Sequence, residues 1–225
     1  MHPKSKLHLR CISIFGMGVQ KDVKLQIYLF GLSCACLQGQ TGGQISFCLT
    51  ADVDKELLNE TVELYKNNEE IGNTARVSAG IEGEFYGKLT RVEETIEFIK
   101  RMGYKKIGIA SCVGLMQETG IFCKILKANN IDYYTVGCKV GAVDKTEIGI
   151  PNEKKLNRGT GHESMCNPVM QAKVLAKEKT DLNIVIGLCV GHDTLFIKHS
   201  EAPVTVMVVK DRVLQHNPVA ALYGA

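Results

Sequence analysis

A chain of 225 residues has room for one large domain, or for a domain with an appendage. Apolar residues make up 45% of it and charged residues 23%, ordinary globular usage that indicates neither a disordered chain nor a membrane protein. The formal net charge of +3, with no continuous Lys/Arg stripe, gives no reason to expect a nucleic-acid partner and leaves small molecules or ions as the expected ligands.

Residues 1–50 show short apolar pieces, Gly16, Gly18 and Gly31, then GQTGGQ, with no sustained helical or strand period, so they read as a poorly defined segment. The stretch VKLQIYLFGLSCACL has the composition of a signal h-region, but it contains Lys24 and Gln26 and lies far from the start. It is too short and too polar to span a bilayer, and a cytoplasmic protein with no membrane partner is expected. From residue 51 to the end the pattern is that of an α/β domain. Val53, Leu57, Leu58, Val62 and Leu64 recur near helical spacing, and the glycines at 72, 80, 83 and 87 then read as a loosely structured connection.

Thr90 followed by Glu93 is a capping-box signature, Val92, Ile96, Ile99 and Met102 line one helical face, and Gly103 suits a left-handed stop. The apolar run KKIGIAS is too short for a helix and predicts a buried strand, followed by a helix over 115–129. DYYTVG repeats the strand, a long loop runs from Cys138 to Cys166, and Asn167 with Pro168 announces a helix as N-cap and first helical residue. LNIVIGL is a third strand, His192 to His199 a short helical connection and APVTVMVV a fourth strand. Strands alternating with helices predict a Rossmann-like or flavodoxin-like, mainly parallel sheet with helices on both faces.

Nine cysteines are the unusual entry in the composition, and an odd number cannot all pair in internal disulfides, which disfavours a secreted disulfide scaffold. Ligands of open parallel sheets bind outside the carboxyl ends of the strands, where loops and helix N-termini converge. Cys112, Cys138 and Cys189 each follow a strand, and Cys166 precedes the Asn167–Pro168 helix start. Thiolates near helix N-termini have lowered pKa values and are the species that bind zinc and iron–sulfur clusters. Cys112, Cys138, Cys166 and Cys189 are therefore the expected metal ligands, with zinc or an iron–sulfur cluster as cofactor. An unpaired cysteine is also a small core hydrophobe, which is the reading for Cys123 within its helix and for Cys11. Cys34, Cys36 and Cys48 lack a full ligand set. His192 with Asp193, His216, and His162 with Glu163 are candidate extra ligands or acid–base groups, each with a capping or solvated alternative.

The sequence has no GxGxxG after a strand, no GxxxxGK[ST] and no GxSxG elbow. Two functions compete with metal binding: a thiol-dependent redox enzyme using a cysteine pair, and a nucleotide- or small-molecule-binding module that rests on fold analogy alone. Whether the protein is an enzyme, and which protein partner it has, the residues leave open.

The motifs YGKLTRVEE, GYKKIGIASCVGL, CKVG, MCNPVMQA, LNIVIGLCVGHDTLF and APVTVMVVKDRVLQHNPVAALY together resemble domain-of-unknown-function family 1847, described as uncharacterised metal-binding proteins of archaea and anaerobic bacteria. The resemblance runs from about Tyr86 to the C-terminus and takes in the four cysteines with His192, Asp193, His216 and Asn217. It implies metal binding and gives no reaction. The family also begins with a cysteine-rich segment near Cys-x-x-Cys spacing, from which this chain departs, and residues 1–47 are accordingly read as disordered or translated out of frame.

Overall fold

A computed structural model describes residues 53–224. The expectations for residues 1–50, and for Cys11, Cys34, Cys36 and Cys48, lie outside the described residues. The chain divides into two compact units, Met1–Gly72 and Asn73–Ala225.

In the first unit, helix α1 (Lys55–Asn67) is capped by Asp54, whose carboxylate accepts from the Glu56 and Leu57 amides. Helix α2 (Glu69–Phe85) begins there and continues into the second unit. The glycine-marked connection expected at this point is thus a helix through Gly72, Gly80 and Gly83, and only Gly87, at φ 68°, lies in the turn beyond it. Each helical glycine costs about 1 kcal/mol against alanine. Tertiary contacts outweigh that cost: Ile81 is buried, and Arg101 of α3 (Arg91–Met102) donates to Glu84 at 2.8 Å and stacks over the Phe85 ring.

The second unit holds the α/β domain. Thr90 and Glu93 form the reciprocal capping box at the start of α3, and Gly103 ends it in the left-handed conformation, φ 73°. Strand β1 (Lys106–Ser111), α4 (Met116–Ala128), β2 (Asp132–Gly137), α5 (Pro168–Lys177), β3 (Leu182–Ile186), α6 (His192–His199), β4 (Val204–Val208) and α7 (Val219–Tyr223) follow. Strand order is β2-β1-β3-β4 with every pair parallel, the doubly wound, flavodoxin-like arrangement expected from the βα alternation. Successive strand residues face opposite sides. Ile107 and Ile109 of β1 and Leu182, Ile184 and Ile186 of β3 pack with Ile96 and Ile99 of α3 and Phe122 and Leu126 of α4. Ala110, Val136 and Val185 pack on the other face with Ala172 and Leu175 of α5 and Phe196 of α6.

Gly108 is the residue that opens the second face to a polar side chain. A Cβ there would stand 2.0 Å from Asn183 Oδ1 and 2.9 Å from Leu175. In the space so left, buried Asn183 accepts from Thr180 Oγ1 and donates to Ser200 Oγ, at 2.8 and 2.6 Å.

Candidate functional site

The topological switch point lies at the carboxyl end of β1, where the chain can turn toward β2 on one side or β3 on the other. The Cys138 amide donates to the Ser111 carbonyl at 2.8 Å, whereas the Cys112 amide donates to Ile186 of β3 at 3.0 Å. Cys112 then caps a 3-10 turn over Val113–Leu115, its sulfur accepting from the Gly114 amide at 3.4 Å. The next amide back in that turn, Val113, donates to the Cys138 sulfur at 3.4 Å.

Cys166 reaches the same place from 28 residues further along the chain, its sulfur 3.8 Å from that of Cys138. The intervening loop is zipped at its neck by the Asp144↔Ser164 bridge, with Met165 donating to Val143 and Lys145 to Glu163. Asp144 is the knot. It accepts from Thr146, from the Glu163 amide at 2.6 Å and from the ammonium of Lys155, a lysine only 4% exposed that also donates to the Gly161 carbonyl. These partners, Lys155 first, hold the Asp144 carboxyl well below the usual range, and Lys145 brings Glu163 down to about 2. The Asn167 amide closes the neck by donating to the Cys138 carbonyl at 2.7 Å, and its side chain caps α5 at Met170, with Pro168 in the first turn as the sequence predicts.

Cys189 follows Gly187, which turns the chain at φ 65° just past an irregularity in the β3–β4 register. Its sulfur accepts from the Arg212 guanidinium at 2.8 Å, and its carbonyl accepts the amides of His192 and Asp193 at the start of α6. Lys139 donates to the Ser164 carbonyl, which lays its charge across the loop neck toward Cys166.

The thiols are electrically unequal. Cys138 is hydrogen-bonded to Cys166, and this contact, with Lys139, lowers the Cys166 pKa to about 7 against the opposing effects of burial, Cys189 and Cys112. Cys112 is pushed well up by its bond to Cys138 and by burial. For Cys138 the bond from Cys112 pulls downward, but Cys166 and burial prevail and raise it. The sequence reading assigns the acidity of Cys166 to the helix N-terminus after it. The neighbouring thiol comes first instead, and Glu163 is paired with Lys145.

Four sulfurs predicted from one edge thus stand at that edge, with Cys138 and Cys166 in direct contact. Among the described residues, no three His, Cys, Asp or Glu side chains as they stand form a group that could hold a metal ion. All five described cysteines are free thiols. Cys123 of α4 packs against the first core face, and burial raises its pKa. His192 has its Nδ1 covered and without a hydrogen-bond partner among the described residues, and burial, with Lys139 next, lowers its pKa. Asp193 bonds the Thr194 amide, a local turn role. His162 bonds Ser164 Oγ at 3.0 Å and His216 accepts from the Asp211 amide at 3.1 Å, so neither turns to the thiols. Sequence reasoning missed Lys155, Gln171, Lys210 and Arg212; Lys210 and Arg212 follow β4 on the same edge, and the edge rule applied to that strand would have found them.

The profile of the DUF1847 family, proteins of unknown function, matches residues 48–207. The chain belongs to this family. The match starts well before Tyr86 and takes in all four edge cysteines, while Lys210, Arg212 and His216 lie beyond it. An uncharacterised protein of Methanocaldococcus jannaschii is 49% identical over 177 residues, covering 78% of this chain and 89% of that protein. Among the described residues no helix is long and apolar enough to cross a membrane.

Proposed function

We propose that the protein binds zinc or an iron–sulfur cluster through Cys112, Cys138, Cys166 and Cys189, in the cytoplasm, and serves in electron transfer, sensing or metal handling. The observation that carries this reading is the Cys138–Cys166 contact of 3.8 Å. Tetrahedral zinc with Zn–S bonds of about 2.3 Å separates its sulfurs by roughly 3.8 Å, so these two already stand at ligand spacing. Cys112 and Cys189 are close enough to act on the charges of Cys138 and Cys166.

The surroundings suit thiolates. Amides of Val113 and Gly114 point at two of the sulfurs, and Lys139, Lys210 and Arg212 place positive charge about them. Four thiolates around a divalent ion carry net negative charge, which such donors and cations stabilise. The reading requires Cys189 to exchange the Arg212 guanidinium for the metal and the other sulfurs to close up. A bound metal or cluster would supply Lewis acidity or one-electron chemistry; this chain's residues hold the thiols, keep Cys166 ionised near neutrality and cover the site with apolar surface.

Anaerobically purified full-length protein is expected to contain zinc, or iron with sulfide, near one site per chain, with visible absorbance only in the iron case. Folded, fully reduced protein free of metal would overturn the reading. One observation favours a second one, a thiol-dependent redox enzyme: two free thiols stand 3.8 Å apart, and their surroundings lower Cys166 and raise Cys138, the asymmetry of an attacking and a resolving thiol. In that chemistry the pair loses two electrons and two protons to an acceptor disulfide, which is reduced to two thiols. Recovery of the same preparation metal-free, with a Cys138–Cys166 disulfide, would select it.

A further inference from the structure

Among the described residues, few buried polar side chains bridge separate elements, and one stands directly behind the thiols. Gln171, in the first turn of α5, is 0% exposed. Its Nε2 donates to the Val136 carbonyl at 2.7 Å and to the Ser111 carbonyl at 3.2 Å. Ser111 pairs with Gly137 as the last rung between β1 and β2, and Cys138 donates to that same Ser111 carbonyl. The following residue, Cys112, has already turned to β3. The amide of Gln171 therefore clamps the two strand ends where the chains bearing Cys112 and Cys138 part, and it does so from the helix whose start lies beside Cys166.

The other half of that amide gains nothing. Gln171 Oε1 is buried with no hydrogen-bond partner among the described residues. A methionine or leucine would fill the space without an orphaned oxygen, so packing does not account for a glutamine here, whereas the doubled donor bond does.

We propose that Gln171 is a positioning residue of the thiol site, fixing the last β1–β2 rung and with it the spacing of Cys112 and Cys138 relative to Cys166. The inference deepens the metal-binding reading and rests on it for one of two readouts. The first readout needs no metal: iodoacetamide labelling of the reduced, metal-free full chain, mapped by mass spectrometry. In Gln171→Met, Cys112 and Cys138 are expected to label several-fold faster than in the parent, while the urea midpoint stays at or above the parent value. The second is Co2+ titration followed by sulfur-to-metal charge-transfer absorbance, where affinity is expected to fall by roughly 10- to 100-fold, the usual range for groups that orient ligands.

Leu175→Ala, which opens a cavity on the same face, is the comparison: it should lower the urea midpoint and leave labelling and Co2+ affinity close to the parent. A Gln171→Met protein that loses stability as Leu175→Ala does, with neither readout changed beyond that variant's, would show packing alone and overturn the proposal. Failure of both Gln171→Met and Gln171→Leu to fold would overturn it too, because the amide would then be needed for the fold itself. If the parent binds no Co2+ while Gln171→Met still exposes the two thiols, the metal reading fails and the positioning role stands.

Discussion

The two faces of the sheet are built on different terms. Beneath α3 and α4 the interior is aliphatic and aromatic, and its buried hydroxyls bond at short range along the chain: Thr95 and Thr119 each donate at 2.7 Å to a carbonyl four residues back, and Ser111 donates to the Met116 sulfur five residues on at 3.7 Å. Beneath α5 and α6 the apolar residues are interrupted by Asn183, Gln171 and the thiols, whose bonds cross between elements. A face that satisfies its polar groups locally can be repacked piece by piece, because each loss stays where it is made. A face held by cross-element polar bonds transmits a local change to every element it ties, including those that carry the cysteines.

The comparison can be broken first where the effect on stability is largest. Leu126→Ala removes a fully buried side chain from the aliphatic face. It should cost about 3–4 kcal/mol in urea unfolding, within the range for such cavities, and leave thiol labelling rates in the native state unchanged. Altered labelling of Cys112 or Cys138 in that variant would show that the faces are not independent.

Gly108→Ala tests the other face. The added methyl meets Asn183 Oδ1 and Leu175, and overpacking of this kind should cost about 2 kcal/mol. Here the native-state labelling of Cys112 or Cys138 should rise as well, since the displaced Asn183 ties β3, whose last residue accepts the Cys112 amide, to Thr180 and Ser200. A stability loss without any change at the thiols would reduce the second face to ordinary packing.

The smallest effect is local and set by pH. Asp144 and Glu163 are held below their ordinary carboxyl values in the folded loop, so their contribution is complete above about pH 4.5 and shrinks as pH falls, that of Glu163 being lost through about 2 and that of Asp144 at still lower pH. Hydrogen exchange of the 143–165 amides should therefore accelerate across that window before the sheet itself opens. Asp144→Asn should show the faster exchange already at neutral pH. Protection that stays level down to pH 2 would mean that the carboxylates do not fasten the neck.

Much of the architecture was legible because it is written at short range. The Thr90–Glu93 box, the Gly103 stop and the Asn167–Pro168 start are matched within three residues of chain, and strand alternation is a period of two. The exception was α2, where glycine spacing argued for a loop and a buried Ile81 with the Glu84–Arg101 pair decided for a helix. For the candidate site, the rule that loops converge at the carboxyl ends of parallel strands was enough to put Cys112, Cys138, Cys166 and Cys189 at one edge of the sheet and Cys123 away from it, within its helix.

What the sequence determined by itself was therefore most of the elements of the α/β domain, the parallel sense of its sheet and the edge on which the thiols stand, since each follows from local propensity and from the direction of a strand. Which thiol touches which, and why Cys166 is the acidic one, was decided only in three dimensions. The contacts responsible join residues 28 positions apart for Cys138 and Cys166, 23 for Cys189 and Arg212, and 60 for Gln171 and Ser111. Bonds of that range leave no periodicity in the chain, because they depend on how the loop neck and the strand ends are brought together and not on what precedes or follows each residue.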